Sequence, residues 1–154
     1  MLAQRHIGLI LPLGNPQRVE SLADLARPGL RFVNRQAGSG TRVWLDAMLG
    51  RSGISPESIL GYDNEQMTHL AVAQAVAQGQ ADAGIGLEAA ALSYGLDFRQ
   101  LTLERYDLII PQNSLRLPQV QALVDILAKP EIRVSIQAMG GYDTASTGSI
   151  LWIG

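Results

Sequence analysis

The sequence predicts an α/β fold, with a mainly parallel sheet flanked by helices. Three features point there. The apolar runs His6–Leu11 and Leu30–Asn34 each stop at turn residues. Thr68–Gln78, THLAVAQAVAQ, has helical character and is closed by Gly79. Ala81–Gly86 is a small-residue strand lying between two helical stretches.

Taken in order, His6–Leu11 reads as a buried strand ended by Pro12-Leu13-Gly14-Asn15-Pro16. Ser21–Ala26 is a helical turn that Ser21 can cap. After the strand Leu30–Asn34, Gly38-Ser39-Gly40-Thr41 opens a helix to about Gly50, with Val43, Trp44, Ala47 and Met48 at helical spacing. Ser58–Tyr62 is a candidate short strand, and Leu87–Tyr94 a helix stopped by Gly95. Tyr106–Ile110 reads as a strand closed by Pro111. Leu117–Leu127 is an amphipathic helix carrying Leu117, Val120, Leu123, Val124 and Leu127 along one side. Pro130 suits the first turn of another helix, and the tail after Gly140 looks irregular.

Composition narrows the function classes. With 154 residues, 47% hydrophobic and 17% charged, the chain can bury a core. A net charge of −2 argues against a general nucleic-acid binder. The charge is uneven: residues 1–51 hold seven Arg against three acids, and the remainder five bases against eleven acids. An anion site is therefore favoured in the first third. The lack of cysteine excludes disulfides, thiolate metal sites and a Cys nucleophile. No stretch approaches the ~20 apolar residues of a membrane span, and the run Ile7–Leu11 is too short for a signal-peptide core. The expected location is the cytoplasm.

In an open parallel α/β sheet, ligands sit beyond the carboxyl ends of the strands. Three turns would meet at that edge: Asn34–Arg42, Gly61–His69 and Gly84–Glu88. In the first, Gly38 and Gly40 allow close backbone approach, while Ser39 and Thr41 supply hydroxyls. N–H groups in the first helical turn carry partial positive charge and can hold an oxyanion. Alternatively, Ser39 is only an N-cap and the glycines only shape a turn. Tyr62 can donate its hydroxyl to the cleft or fill the core. Glu88 would repel an anion if turned inward, and otherwise favours the start of its own helix. His6 reads as structural, and His69 as a surface or capping group. Several sharper motifs fail. Arg42 follows Gly-Thr where a P-loop needs Lys before Ser/Thr, and Val43 and Ala89 stand where a dinucleotide fingerprint needs its third glycine. There is no Gly-x-Ser-x-Gly elbow and no acidic cluster beside the two histidines. No catalytic residue, metal site or cofactor is expected.

Phe32-Val-Asn-Arg-Gln-Ala-Gly-Ser-Gly-Thr-Arg42, Gly61-Tyr62, Thr68-His-Leu-Ala-Val-Ala73, Ala81-Asp-Ala-Gly-Ile-Gly86, Glu104-Arg-Tyr-Asp-Leu108 and Gly141-Tyr-Asp-Thr-Ala-Ser-Thr-Gly148 follow in order. Together they resemble the PBP-like domain of the type 2 periplasmic-binding-protein superfamily, over nearly the whole chain. Members of that branch are often fused to helix-turn-helix or molybdenum-cofactor biosynthesis domains, and their relatives bind molybdate or tungstate. The resemblance implies a cytoplasmic solute sensor with a molybdate-type oxyanion held between two lobes; an enzyme acting on a small anion is a further alternative, disfavoured because the sequence shows no recognisable nucleophile–base pair or metal cluster. An organic anion, such as a molybdopterin-type cofactor or an amino acid, is the alternative ligand. Carried over by position, Ser39, Gly40 and Thr41 match the anion-facing helix start, with Arg42 beside them; Tyr62, Thr68 and His69 are placed by the same edge. The resemblance also implies a complete second lobe at about 14–104. Residues 1–13 and 105–154 would supply the crossover strands and the C-terminal part of an otherwise incomplete first lobe. No helix-turn-helix segment is present in the sequence, so any DNA-binding domain would be fused or missing. The aliphatic stripe of 117–127 would then lack part of its packing partner, and the chain is expected either to fold back on its own sheet or to form a homodimer. Strands 6–11 and 106–110 are expected side by side.

Overall fold

The computed structural model describes residues 1–152. The chain forms two compact units. The larger is Ile7–Thr102, and the smaller joins Met1–His6 to Leu103 onward. Strands β1 (Ala3–Leu11) and β5 (Asp97–Tyr106) carry the chain between them.

In the larger unit, β2 (Phe32–Arg35) leads into helix α1 (Gly40–Arg51), and β3 (Glu65–Gln66) into α2 (His69–Ala77). Strand β4 (Ala83–Leu87) leads into α3 (Glu88–Ser93). The strand order is β3-β2-β4-β1-β5. β2 runs parallel to β3 (Asn34↔Glu65) and to β4 (Phe32↔Ala83), whereas β1 runs antiparallel to β4 (Ile7↔Leu87, Ile10↔Gly84). The sheet is therefore mixed rather than mainly parallel. The α/β class with flanking helices holds, but β1 reaches β2 through a loop and a 3-10 turn at Leu22–Ala26, not through the helical crossover that parallel pairing needs.

Ile7, Leu9, Ile10, Leu11, Phe32, Val33, Leu45, Leu49, Val72 and Ile85 build one core. Full burial of each large aliphatic contributes about 1.5–3 kcal/mol as an upper bound. Helix α2 starts at Thr68, whose Oγ1 accepts from Ala71 N at 3.0 Å, and buries Val72, Ala73, Ala75 and Val76. It can lie close because Gly84 of β4 has no side chain. A Cβ there would stand 2.5 Å from Val72 Cγ1 and 2.9 Å from Val33 Cγ1.

Two strands differ from expectation. The segment 106–110 is not a strand: β5 ends at Tyr106, and it is Asp97–Tyr106 that lies beside β1. As the last strand in the order, β5 keeps one side open, so its residues alternate between half-buried and exposed instead of forming an apolar run. Ser58–Tyr62 is likewise not a strand. Pro56 starts a short 3-10 turn, and Gly61 has φ +91°. A Cβ on Gly61 would lie 2.2 Å from the carbonyl oxygen of Phe32, so only glycine fits this approach.

In the smaller unit, α4 (Pro118–Ala128) packs on α5 (Pro130–Gln137), and α5 contacts the short strand β6 (Tyr142–Asp143). β6 pairs with the start of β1, Gln4↔Asp143. Arg5 bonds Glu104 and lies over the ring of Tyr106, 4.2 Å from its centroid. Among the described residues of this unit, only Ala3, Thr144 and Thr147 are buried. Along the stripe of α4, Leu117 and Leu123 are exposed, while Val120, Val124 and Leu127 are half-buried.

Candidate functional site

The parallel run β3-β2-β4 sets the chemistry of one edge. Each of these strands is followed by a helix, so the starts of α1, α2 and α3 lie at their shared carboxyl-end edge. Ser39 caps α1: its Oγ accepts from Arg42 N at 3.3 Å, and its own N–H donates to Gln36 O at 3.2 Å. The N–H groups of Gly40 and Thr41 fall in the first turn, where a helix offers no acceptor of its own. The N–H groups on either side of these two, at Ser39 and Arg42, already have acceptors within the chain. Thr41 is buried and Ser39 half-buried. On α2, exposed Thr68 is the cap and His69 the first helical residue.

Arg35, at the end of β2, ties the first turn to the second. This buried guanidinium donates to Gln66 O (3.2 Å), Met67 O (3.0 Å) and Gln36 Oε1 (3.2 Å), and its Nη1 lies 2.9 Å from His69 Nε2. Asn34 adds a second tie, donating from Nδ2 to Tyr62 O at 3.1 Å and accepting Arg35 N at 2.9 Å. Thr68 and His69 are thereby brought to the same edge as the α1 start.

Arg42 and Tyr62 form a separate cluster in the same unit. The Arg42 guanidinium lies 4.0 Å from the Tyr62 ring centroid, which is cation–π distance. It donates to Asp46 Oδ1 at 3.0 Å, Glu65 Oε1 at 3.0 Å and Arg35 O at 3.3 Å. Tyr62 donates its hydroxyl to Asp46 Oδ1 at 2.6 Å. Burial lowers the Arg42 pKa, but hydrogen bonding with Tyr62 and Asp46 outweighs it and raises the pKa overall. Burial and the Asp46 hydrogen bond together push the Tyr62 phenol up against the opposing effect of Arg42. Both groups therefore hold their protons: Arg42 is a cation between two carboxylates, and Tyr62 is a neutral donor.

Sequence reasoning did not single out Arg35, Asp46 or Glu65. The Arg42/Asp46 spacing of four was a readable signal, since such pairs face each other on a helix. The partners of Arg35 and Glu65 are distant in sequence, and no local pattern announces them. A surface depression of about 450 Å³, lined by Pro56, Glu57, Ile59, Gly61, Tyr62, Asp63 and Asn64, carries two acids. An anion is disfavoured there.

The chain is 37% identical over 147 residues to YvgK of Bacillus subtilis, an uncharacterized protein, covering 96% of this chain and 47% of YvgK. Its fold is similar to that of PEB3 from Campylobacter jejuni, with TM-score 0.60 and 22% identity over 92% of this chain and 66% of that one. It is also similar to a substrate-binding domain from Clostridium difficile assigned to a molybdenum ABC transporter, with TM-score 0.59 and 14% identity over 92% and 64%. The chain thus spans about half the length of YvgK and just under two thirds of these folds. Among the described residues, no helix is long and apolar enough to cross a membrane. Residues 1–128 match the PBP superfamily domain, and with helix starts gathered at one edge of a mixed α/β sheet, the chain belongs to that family of solute-binding folds.

Proposed function

We propose that the chain is the ligand-binding part of a cytoplasmic sensor for a small oxyanion of the molybdate or tungstate type, acting as a binding module and not an enzyme. The supporting observation is the first turn of α1. Gly40 and Thr41 present N–H groups beside the Ser39 and Thr41 hydroxyls, at an edge shared with Thr68 and His69. Such donors hold a tetrahedral anion without a full countercharge. Arg42 and Tyr62 act behind this row, since their polar groups are engaged with Asp46 and Glu65. The molybdenum-transporter domain of similar fold supports the ligand class. An organic anion is the second reading, favoured by the L-phospholactate bound to PEB3, a protein of similar fold.

In domain terms, the proposal treats about 14–104 as a second lobe, with 1–13 and 105–154 as crossover strands and part of a first lobe. A fused DNA-binding or cofactor-biosynthesis partner would read the bound state. A homodimer is proposed for the exposed aliphatic residues of α4.

Calorimetric titration with molybdate, tungstate, sulfate and L-phospholactate tests the reading. Replacing both Ser39 and Thr41 by Ala should weaken oxyanion binding by roughly 1–3 kcal/mol, the scale of charge-assisted hydrogen bonds. Affinity that is unchanged in this double variant overturns the proposed site. Preference for L-phospholactate over every inorganic anion favours the second reading.

A further inference from the structure

Glu65 lies outside the row of donors at the start of α1, yet one of its oxygens bonds the chain on both sides of Ser39. Oε1 accepts from Ala37 N at 3.1 Å and from Arg42 Nη1 at 3.0 Å. Ala37 lies in the turn between β2 and α1, and Arg42 in the first turns of α1. Ser39 Oγ, between them, accepts from Arg42 N at 3.3 Å. The bonds close a ring: Glu65 to Ala37, along the chain to Ser39, across to Arg42, and back to Glu65. Glu65 alone in that ring comes from β3, whose residue pairing with β2 is Asn34↔Glu65.

We propose that Glu65 is the positioning residue of this edge: it clasps the turn ahead of α1 and diverts Arg42 from the ligand, leaving the anion to neutral donors. The clasp rests on the hydrogen bonds alone, whereas its consequence for ligand choice rests on the oxyanion reading above. The Glu65 side chain is 35% exposed, so its carboxylate is partly hydrated, and its field reaches an anion at the helix start in weakened form. That repulsion scales with ligand charge. A doubly charged oxyanion is penalised more than a singly charged one of the same shape, so Glu65 both shapes the site and moderates its preference for dianions.

The test compares the wild type with Glu65→Gln, which keeps an acceptor and removes the charge, and Glu65→Ala, which removes both. Hydrogen exchange at the Ala37 amide reads the clasp without any ligand. It should be about tenfold faster in Glu65→Ala and near wild type in Glu65→Gln. Calorimetry with molybdate, a dianion, and perrhenate, a tetrahedral monoanion, reads the charge. Glu65→Gln should tighten both, with a logarithmic gain for molybdate roughly twice that for perrhenate. Glu65→Ala should bind molybdate more weakly than Glu65→Gln. Equal Ala37 exchange in all three proteins overturns the clasp, and equal gains for the two anions overturn the charge effect. Ala37 exchange as expected, with neither anion bound by any of the three proteins, supports the clasp and overturns the oxyanion reading and the charge effect that depends on it.

Discussion

Arg35 Nη1 stands 2.9 Å from His69 Nε2. A guanidinium only donates, so Nε2 is the acceptor and the imidazole is neutral, with its proton on Nδ1. Long-range nitrogen–proton NMR spectra at neutral pH should show an unprotonated Nε2 and a protonated Nδ1. The opposite tautomer would contradict the contact. Arg35→Met should release this preference and, by removing the donors to Gln66 O and Met67 O just ahead of α2, destabilise the protein by roughly 1–3 kcal/mol in denaturant unfolding.

Asp82 gives the fold an acid-sensitive tie. Its carboxylate accepts from Arg31 N (2.9 Å), Nε (3.0 Å) and Nη2 (2.7 Å), while Asp82 N donates back to Arg31 O at 2.8 Å. The Arg31 side-chain hydrogen bond holds the Asp82 pKa below its usual value, against an opposing effect of burial. A depressed folded-state pKa means the contribution is present above the unfolded pKa and is lost as pH falls through the folded one. Asp82→Asn should therefore flatten the acid limb of the stability–pH curve by up to about one proton. An acid limb identical to wild type would show that this pair is not the one that titrates.

Packing between α2 and the sheet depends on the bare backbone of Gly84. Gly84→Ala would press a methyl against Val72 and Val33, and overpacking of this kind costs roughly 1–3 kcal/mol. Adding Val72→Ala should recover part of that loss, a non-additive coupling that unfolding curves of the four proteins in the cycle would reveal. Strict additivity would mean the helix simply shifts away.

Exposed apolar residues of the smaller unit motivate the dimer. Leu117 is 50% exposed, Leu123 40% and Ile126 44%. The average mass by light scattering should rise with protein concentration, and Leu123→Glu should abolish the rise. A wild-type chain that stays monomeric at high concentration would refute the dimer.

Much of the larger unit was legible because local rules decided it. Thr68 and Gly79 bracket α2 as a cap and a left-handed stop would, and Ser39 marks α1 in the same way. The two misread strands each have their own cause. The apolar run 106–110 looked like a strand, but edge position, not hydrophobicity, decides β5, whose open side tolerates Arg99, Gln100 and Glu104. At Ser58–Tyr62 the positive φ of Gly61 and the 3-10 turn at Pro56 outweigh β-propensity. In the candidate site, the helix starts were visible in Gly38-Ser39-Gly40-Thr41 and Thr68-His69. The ionic cluster was not, because Glu65 reaches Arg42 only once β3 lies beside β2.

The antiparallel placement of β1 also orders events in time. Its apolar stretch Ile7–Leu11 leaves the ribosome early, but its partners β4 and β5 follow some seventy to ninety residues later, at 83–87 and 97–106. The parallel trio β2, β3 and β4 with α2 can assemble before the central strand is seated between β4 and β5. Until then, an apolar β-prone segment waits in the nascent chain, where pairing with another such segment competes with its own closure. Slow synthesis across residues 90–106 would lengthen that wait, and a chaperone bound at Ile7–Leu11 would shield it.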